Sequence, residues 1–303
     1  MRLKTIAVVP ARRNRMKLMP DRYFANDAQR IFAGLYPEVA GKFTHRLAEH
    51  PLFEFEALAQ LASRMRPCDV EQNLAALPIG VDPAALRDNG LSIVETIRSI
   101  EHNGSWLVLK FVEQDPTYRE LLDAVLDELA PAVASRTGPM LKREAFIFVS
   151  SPNATTPFHF DPEHNILLQL RGEKVMTVFP AGDEEVAAPE EHERFHLGGH
   201  RNLPYDETFG AKGCAHTLRS GEAIYVPVKA PHWVRNGPAP SVSFSVTWRS
   251  EWSYREASAH GLNNIMRRAG LNPSAPERFP RQNHVKSLAY RAVDKARRAI
   301  VRS

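Results

Sequence analysis

Between Ala145 and Trp248 the chain is a succession of short β-branched and aromatic runs separated by Pro, Gly, Asn and Asp. That texture is what an antiparallel barrel or sandwich requires. Candidate strands are Ala145 to Val149, Asn165 to Leu170, Lys174 to Phe179, Glu222 to Val226 and Ser241 to Trp248. Arg171-Gly172-Glu173 joins two of them tightly enough to be a hairpin.

On either side the apolar period lengthens to that of a helix. Asp115-Pro116 supplies an N-cap and an N1 proline ahead of Tyr118, Leu121, Leu122, Val125, Leu126 and Leu129, which share one helical face. Weaker helical patterns cover Ala28 to Leu47 and Glu54 to Met65. Another, Leu91 to Ile100, ends at Asn103-Gly104 before a strand-like Trp106 to Phe111. Beyond Trp248 a helix over Tyr254 to Ala269 stops at Gly270, and a basic helix runs from Asn283 to the end. The expected class is α+β: a mainly helical flank over 1–140, a β core over 141–250 and a helical region over 251–303.

Composition removes several function classes. Of 303 residues, 43% are hydrophobic and 24% charged, the usage of an ordinary globular protein. No apolar run approaches the ~18 residues of a membrane span. Two cysteines, Cys68 and Cys214, without CxxC spacing, point to a reducing compartment and away from a cysteine zinc site. Met1 to Ala11 has a basic start but only a short apolar stretch that runs into Arg12-Arg13, so no signal peptide is expected and the cytoplasm is the predicted location. A net charge of +4 is too small to imply nucleic acid, and no helix-turn-helix or zinc finger is apparent.

The chemistry sits in the β core. In a strand, His159 and Asp161, at i and i+2, project from one face and can reach one metal ion. His232 follows a glycine turn, a short apolar strand and a proline-rich bend in Gly221-Glu-Ala-Ile-Tyr-Val-Pro227-Val-Lys-Ala-Pro-His232, a context that would return an imidazole to the first pair. Two imidazoles and one carboxylate on one face of an octahedral ion leave three open positions, the arrangement of non-heme Fe(II) oxygenases. Zinc more often takes four closed ligands or keeps one open site.

The run Thr156-Pro-Phe-His159-Phe-Asp161-Pro-Glu-His-Asn165-Ile-Leu-Leu-Gln169-Leu-Arg-Gly172-Glu-Lys174, continuing to Phe179-Pro180, resembles the core of JmjC-type, cupin-like Fe(II)/2-oxoglutarate dioxygenases. It is closest to the asparaginyl hydroxylase branch of the hypoxia pathway (factor inhibiting hypoxia-inducible factor). The resemblance covers about residues 140 to 250 and implies a double-stranded β-helix, or jelly roll, between helical flanks. It further implies Fe(II) on His159, Asp161 and His232, with 2-oxoglutarate and O2 in the open positions. The distal carboxylate of 2-oxoglutarate would meet Lys174 and Thr156. Asn165 would hydrogen-bond near the co-substrate. Thr247 stands near a position where the hypoxia enzyme uses asparagine, and Val228 to Pro231 replace bulky aromatics, which implies a different substrate wall. C-terminal helices of that branch form dimers, so a homodimer is expected.

Other residues have plainer readings beside functional ones. Gln169 either faces substrate or satisfies backbone groups. Ser243, Ser245 and Thr247 alternate with Val242, Phe244, Val246 and Trp248, so one polar face can line a pocket. His192, His196, His200 and His216 could suggest a second metal site, but Gly198-Gly199 interrupts the helix and a polar loop or lid is the favoured reading. Arg194, Arg201 and Asn202 in that loop are candidate substrate contacts. The basic tail, with an apolar stripe of Val285, Leu288, Ala289 and Ala292, is read as packing on its own domain or a twin subunit. The function expected is hydroxylation of a protein side chain. A small-molecule oxygenase and a non-catalytic cupin-like sensor are the alternatives.

Overall fold

The computed structural model describes residues 22–81 and 87–301, so the Met1 to Ala11 stretch and Arg302 lie outside the described residues. Strands β1 (Gly41–Thr44), β2 (Val70–Leu74), β3 (Ser105–Lys110), β4 (Leu141–Ser150), β5 (Thr155–His159) and β6 (His164–Arg171) are followed by β7 (Glu173–Val178), β8 (Cys214–Arg219), β9 (Glu222–Val226), β10 (His232–Asn236) and β11 (Ser241–Arg249). They form a seven-stranded sheet in the order β1-β9-β6-β11-β4-β3-β2 and a four-stranded sheet in the order β5-β10-β7-β8. Every pairing is antiparallel. Leu167, Ile224 and Val226 of the larger sheet pack against Met176, Val178, Leu218 and Val234 of the smaller, so the two sheets close a jelly-roll interior between them.

Strand alternation explains the layering. On β11, Val242, Phe244, Val246 and Trp248 join Ile147, Leu168 and Tyr225 on the outer face of the larger sheet. Helices α1 (Asn26–Leu35), α2 (Phe55–Ala62), α3 (Ile93–Arg98), α4 (Pro116–Asp127) and α5 (Ala130–Thr137) cover that face through residues such as Phe32, Leu58, Ile97, Leu122 and Val133. Each fully buried Phe or Leu contributes roughly 1.5–3 kcal/mol. The Asp115 carboxylate caps α4 by accepting a hydrogen bond from the Thr117 N–H at 3.0 Å. The flanking helices are therefore one wall of the core, because a sheet apolar on both faces needs a layer on each.

Several elements differ from the sequence reading. The helix expected over Ala28 to Leu47 ends at Leu35, and Gly41–Thr44 is an edge strand paired with β9. With β2 and β3, the flank read as mostly helical supplies three strands of the larger sheet. The third, β3, matches the strand-like Trp106 to Phe111, whereas β1 and β2 are hidden by their shortness, since four or five residues carry too little period to stand out. After α6 (Pro189–Phe195), the chain ends in α7 (Glu251–Arg268) and α8 (His284–Val301). Helix α8 packs on α7 at Tyr290, where a Cβ on Gly261 would lie 2.5 Å from the Tyr290 ring, and its Ser287 is buried, while Val285 and Leu288 are 82% and 65% exposed within this one chain. The absent side chain at Gly261 is what admits the Tyr290 ring.

The β6–β7 hairpin depends on one residue. Gly172 has φ +70°, and a Cβ there would sit 2.5 Å from the Pro240 carbonyl oxygen. Gly172→Ala should lower unfolding free energy by roughly 2 kcal/mol or more. Urea denaturation followed by circular dichroism measures this, and an unchanged midpoint would refute it.

Candidate metal centre

His159 ends β5 and His232 opens β10, and the register of that pair makes the two residues direct cross-strand partners. Their ring centroids are 4.2 Å apart. Asp161 lies two residues beyond the end of β5, on a bend fixed by the Lys229 N–H donating to the Asp161 carbonyl at 2.8 Å. One ligand atom from each of His159, Asp161 and His232 falls within 4.8 Å of the others, and among the described residues no other His, Cys, Asp or Glu group does so.

The protonation states suit a cation. His159 Nδ1 is 2.7 Å from the Pro157 carbonyl and His232 Nδ1 is 3.0 Å from the Ala230 carbonyl. Each Nδ1 therefore carries the proton and each Nε2 is left as a bare donor, an assignment made from the hydrogen bonds. Burial, and then the neighbouring His232, depress the His159 pKa to about 3, so its ring is neutral at ordinary pH. Burial alone would raise the Asp161 carboxyl, but Arg201 and the two imidazoles outweigh it and hold the group well below the usual carboxylate range.

Two polar contacts orient the carboxylate. Asn165 Nδ2 donates to Asp161 Oδ2 at 3.3 Å, and Ser245 Oγ donates to Asn165 Oδ1 at 2.8 Å. Arg201 NH1 donates to Asp161 Oδ1 at 2.7 Å. Arg201 arrives from the loop after α6, which lies along β5 through a bridge between Asn202 and His159 and a bond from Leu203 N–H to the Phe158 carbonyl. No motif or spacing marks the Arg201–Asp161 pair in the sequence.

Lys174 lies on β7 on the inward side it shares with Met176 and Val178, opposite Asn236 of β10, four residues along from the partner of His232. Four strand residues span about 13 Å. Its side chain is 4% exposed, and its ammonium makes no hydrogen bond or ion pair among the described residues. Burial lowers its pKa to about 7. Across the ladder, Asn236 Oδ1 is buried without a partner. Unsatisfied buried polar groups are rare in stable interiors and here lie side by side.

A cavity of about 450 Å3 opens beside the cluster, lined by His159 and Asp161 with Thr156, Asn165, Ser245 and Thr247 in its walls; His232 and Lys174 are not among its lining residues. The Thr247 hydroxyl donates to the Glu144 carbonyl at 3.3 Å. Gln169 is fully buried, donating to the Arg171 carbonyl and to Ser241 Oγ while accepting from Ser243 Oγ, so it satisfies internal groups and does not face the cavity.

The remaining candidates do not converge here. Val228 to Pro231 form no wall of this cavity. Lys229, 2% exposed, turns to the opposite side and pairs with Glu256 of α7 at 3.0 Å. Its pKa falls to about 8 through burial. His192 and His196 pack against His260 of α7, with ring centroids 5.2 and 5.8 Å away. His200 lines the metal-centre cavity, and His216 lies on β8 opposite Met176. The four loop histidines are therefore split among three places. Arg194 pairs with Glu191 on the surface.

Residues 92–254 match the family described as Cupin-like domain. The chain belongs to this cupin-like family. Its sequence is 33% identical over 104 residues to lysine-specific demethylase JMJ30 of Arabidopsis thaliana, an alignment covering 32% of this chain and 24% of that protein. Among solved structures, E. coli YcfD superposes on this cupin-like chain with a TM-score of 0.50 at 15% identity, covering 86% of this chain and 66% of YcfD. A second YcfD structure, described as a ribosomal oxygenase in complex with cobalt and 2-oxoglutarate, gives a TM-score of 0.46 at 16% identity, over 86% of this chain and 62% of that one. The cupin-like chain thus spans about a quarter of the curated relative it matches.

Because Asn165 holds one carboxylate oxygen of the cluster, Asn165→Ala should weaken Mn(II) binding about 10–100-fold, the usual effect of removing a hydrogen-bond partner of a metal ligand. Titration by electron paramagnetic resonance reads this directly, and wild-type affinity in the variant would show the contact to be idle.

Proposed function

We propose that the chain is an Fe(II)- and 2-oxoglutarate-dependent dioxygenase that hydroxylates a protein side chain, the reading to which the resemblance to the asparaginyl hydroxylase branch leads. The observation that carries it is one pairing: a two-imidazole, one-carboxylate cluster at the barrel mouth and an unpaired buried ammonium farther along the same interior.

The residues fit the groups. Two imidazoles and an ionised carboxylate are a donor set for a divalent transition metal, and the Nδ1–carbonyl bonds keep both Nε2 atoms pointed at the cluster. His159, Asp161 and His232 would hold Fe(II). A buried ammonium without a counter-charge is costly, and a dicarboxylate whose keto-acid end is on the metal would supply that counter-charge to Lys174. Thr156, paired with Val234 beside the same strand, would add a hydroxyl. With both groups bound, the chemistry supplied is insertion of one oxygen atom of O2 into a substrate C–H bond, giving C–OH while 2-oxoglutarate becomes succinate and CO2. Asn165 and Arg201 orient Asp161. A small-molecule substrate is the second reading, favoured by the cavity size, which lies within the ~300–1,000 Å3 of small-ligand sites.

Substitution separates the two parts of the site. His159→Ala should abolish metal binding, whereas Lys174→Ala should keep metal and lose 2-oxoglutarate, both read by calorimetry with Mn(II). Retained 2-oxoglutarate affinity in Lys174→Ala would remove the co-substrate assignment. The lysine also sets a pH signature. Its pKa is lowered to about 7 in the free protein, so above pH 7 the amine is mostly neutral, and binding the dianion must restore the proton. Proton uptake approaching one per 2-oxoglutarate is expected at pH 8 and little at pH 6, measured in buffers of differing ionisation enthalpy. Equal uptake at both would contradict it.

A further inference from the structure

Resting on the oxygenase reading, we infer that the group entering this site is neutral, apolar and ring-bearing, and that the aromatic wall formed by Trp106, Phe146 and Phe148 selects it. Trp106 and Val108 of β3 and Phe146 and Phe148 of β4 all line the cavity over the metal donors. The register sets Val108 opposite Phe148 and Lys110 opposite Phe146, so these side chains form one continuous wall. Phe111 extends it, with its ring 5.3 Å from that of Phe146.

The charged groups around this wall are already matched. Glu71 is 3.5 Å from Lys110, Glu144 is 3.2 Å from Lys142, Asp161 is 2.7 Å from Arg201, and Glu163 is 3.8 Å from Arg249. All four carboxylates line the cavity, and each has its own base. A cationic substrate group would have to displace a lysine or arginine from its carboxylate, and an anionic one would have to do the reverse. Neither gains a free counter-charge, which works against both.

The wall itself is aromatic: Trp106, Phe111, Phe146 and Phe148 line one side of the cavity. Such a surface favours an apolar, ring-bearing group through stacking and edge contacts. Phenylalanine-like chemistry meets that demand, in a peptide or in a free molecule.

The test uses the full chain loaded with Mn(II) and 2-oxoglutarate, with ligand-observed NMR titration of N-acetylphenylalaninamide and N-acetylargininamide. The neutral aromatic amide should bind at least about tenfold more tightly than the cationic one, and Phe148→Leu, which keeps an apolar side chain and removes the ring, should lose roughly threefold to tenfold. Equal or tighter binding of the arginine probe overturns the inference, as does undiminished affinity in a folded Phe148→Leu protein. The wild-type comparison decides the matter by itself if that variant fails to fold. Binding of Mn(II) and 2-oxoglutarate with neither probe bound also overturns the inference while leaving the oxygenase reading intact. Failure to bind 2-oxoglutarate at all would remove the oxygenase reading first.

Discussion

The pairing of β5 with β10 is the constraint on which the site depends. It makes His159 and His232 cross-strand neighbours. A slip of one residue in either strand would turn one imidazole to the opposite face. Several contacts pin the register. β10 is held on its other side by β7 over five consecutive partners from His232 to Asn236. The bend that carries Asp161 is tied to Lys229, whose ammonium is locked to Glu256 on α7. A buried pair of this kind adds little net stability, yet losing one partner strands a charge at a cost of about 3–5 kcal/mol. The C-terminal helical region thus braces, through Lys229, the bend that carries Asp161.

The polar interior is divided between groups that are satisfied and groups that are not. On β11, Ser243 serves Gln169, Ser245 serves Asn165 and Thr247 serves the Glu144 carbonyl, so the serine-rich face is structural along most of its length. Through Asn165 that face also reaches the Asp161 carboxylate. Among the described residues, the Lys174 ammonium makes no hydrogen bond or ion pair, and the Asn236 side-chain oxygen is buried without a partner. Natural sequences break the rule of full satisfaction mainly where a ligand completes it.

The insert between β7 and β8 has two unrelated duties. Its first half packs His192 and His196 among His260, Phe160 and Phe195, where burial keeps the His192 and His196 imidazoles neutral. Its second half delivers His200, Arg201 and Asn202 to the metal-centre cavity. A row of histidines spaced four apart is therefore cut by Gly198-Gly199 into a structural pair and a rim residue.

Much of this protein was legible in its residues alone, and the reason is that local periods survive folding. Alternation along Ser241 to Trp248, the Asp115-Pro116 cap, the tight turn at Gly172 and the two-residue spacing of His159 and Asp161 all express geometry set within a few residues, whereas Lys174 was marked by the family resemblance alone. The short strands at Gly41, Val70 and Cys214 escaped because four to six residues form a strand only when a neighbouring edge supplies the hydrogen bonds. Only the tertiary structure brought Arg201 to Asp161 across 40 positions, turned Lys229 away from the cavity and toward α7, and set the apolar side of α8 outward. These outcomes depend on which surfaces meet when distant segments close on one another, and no local period records that.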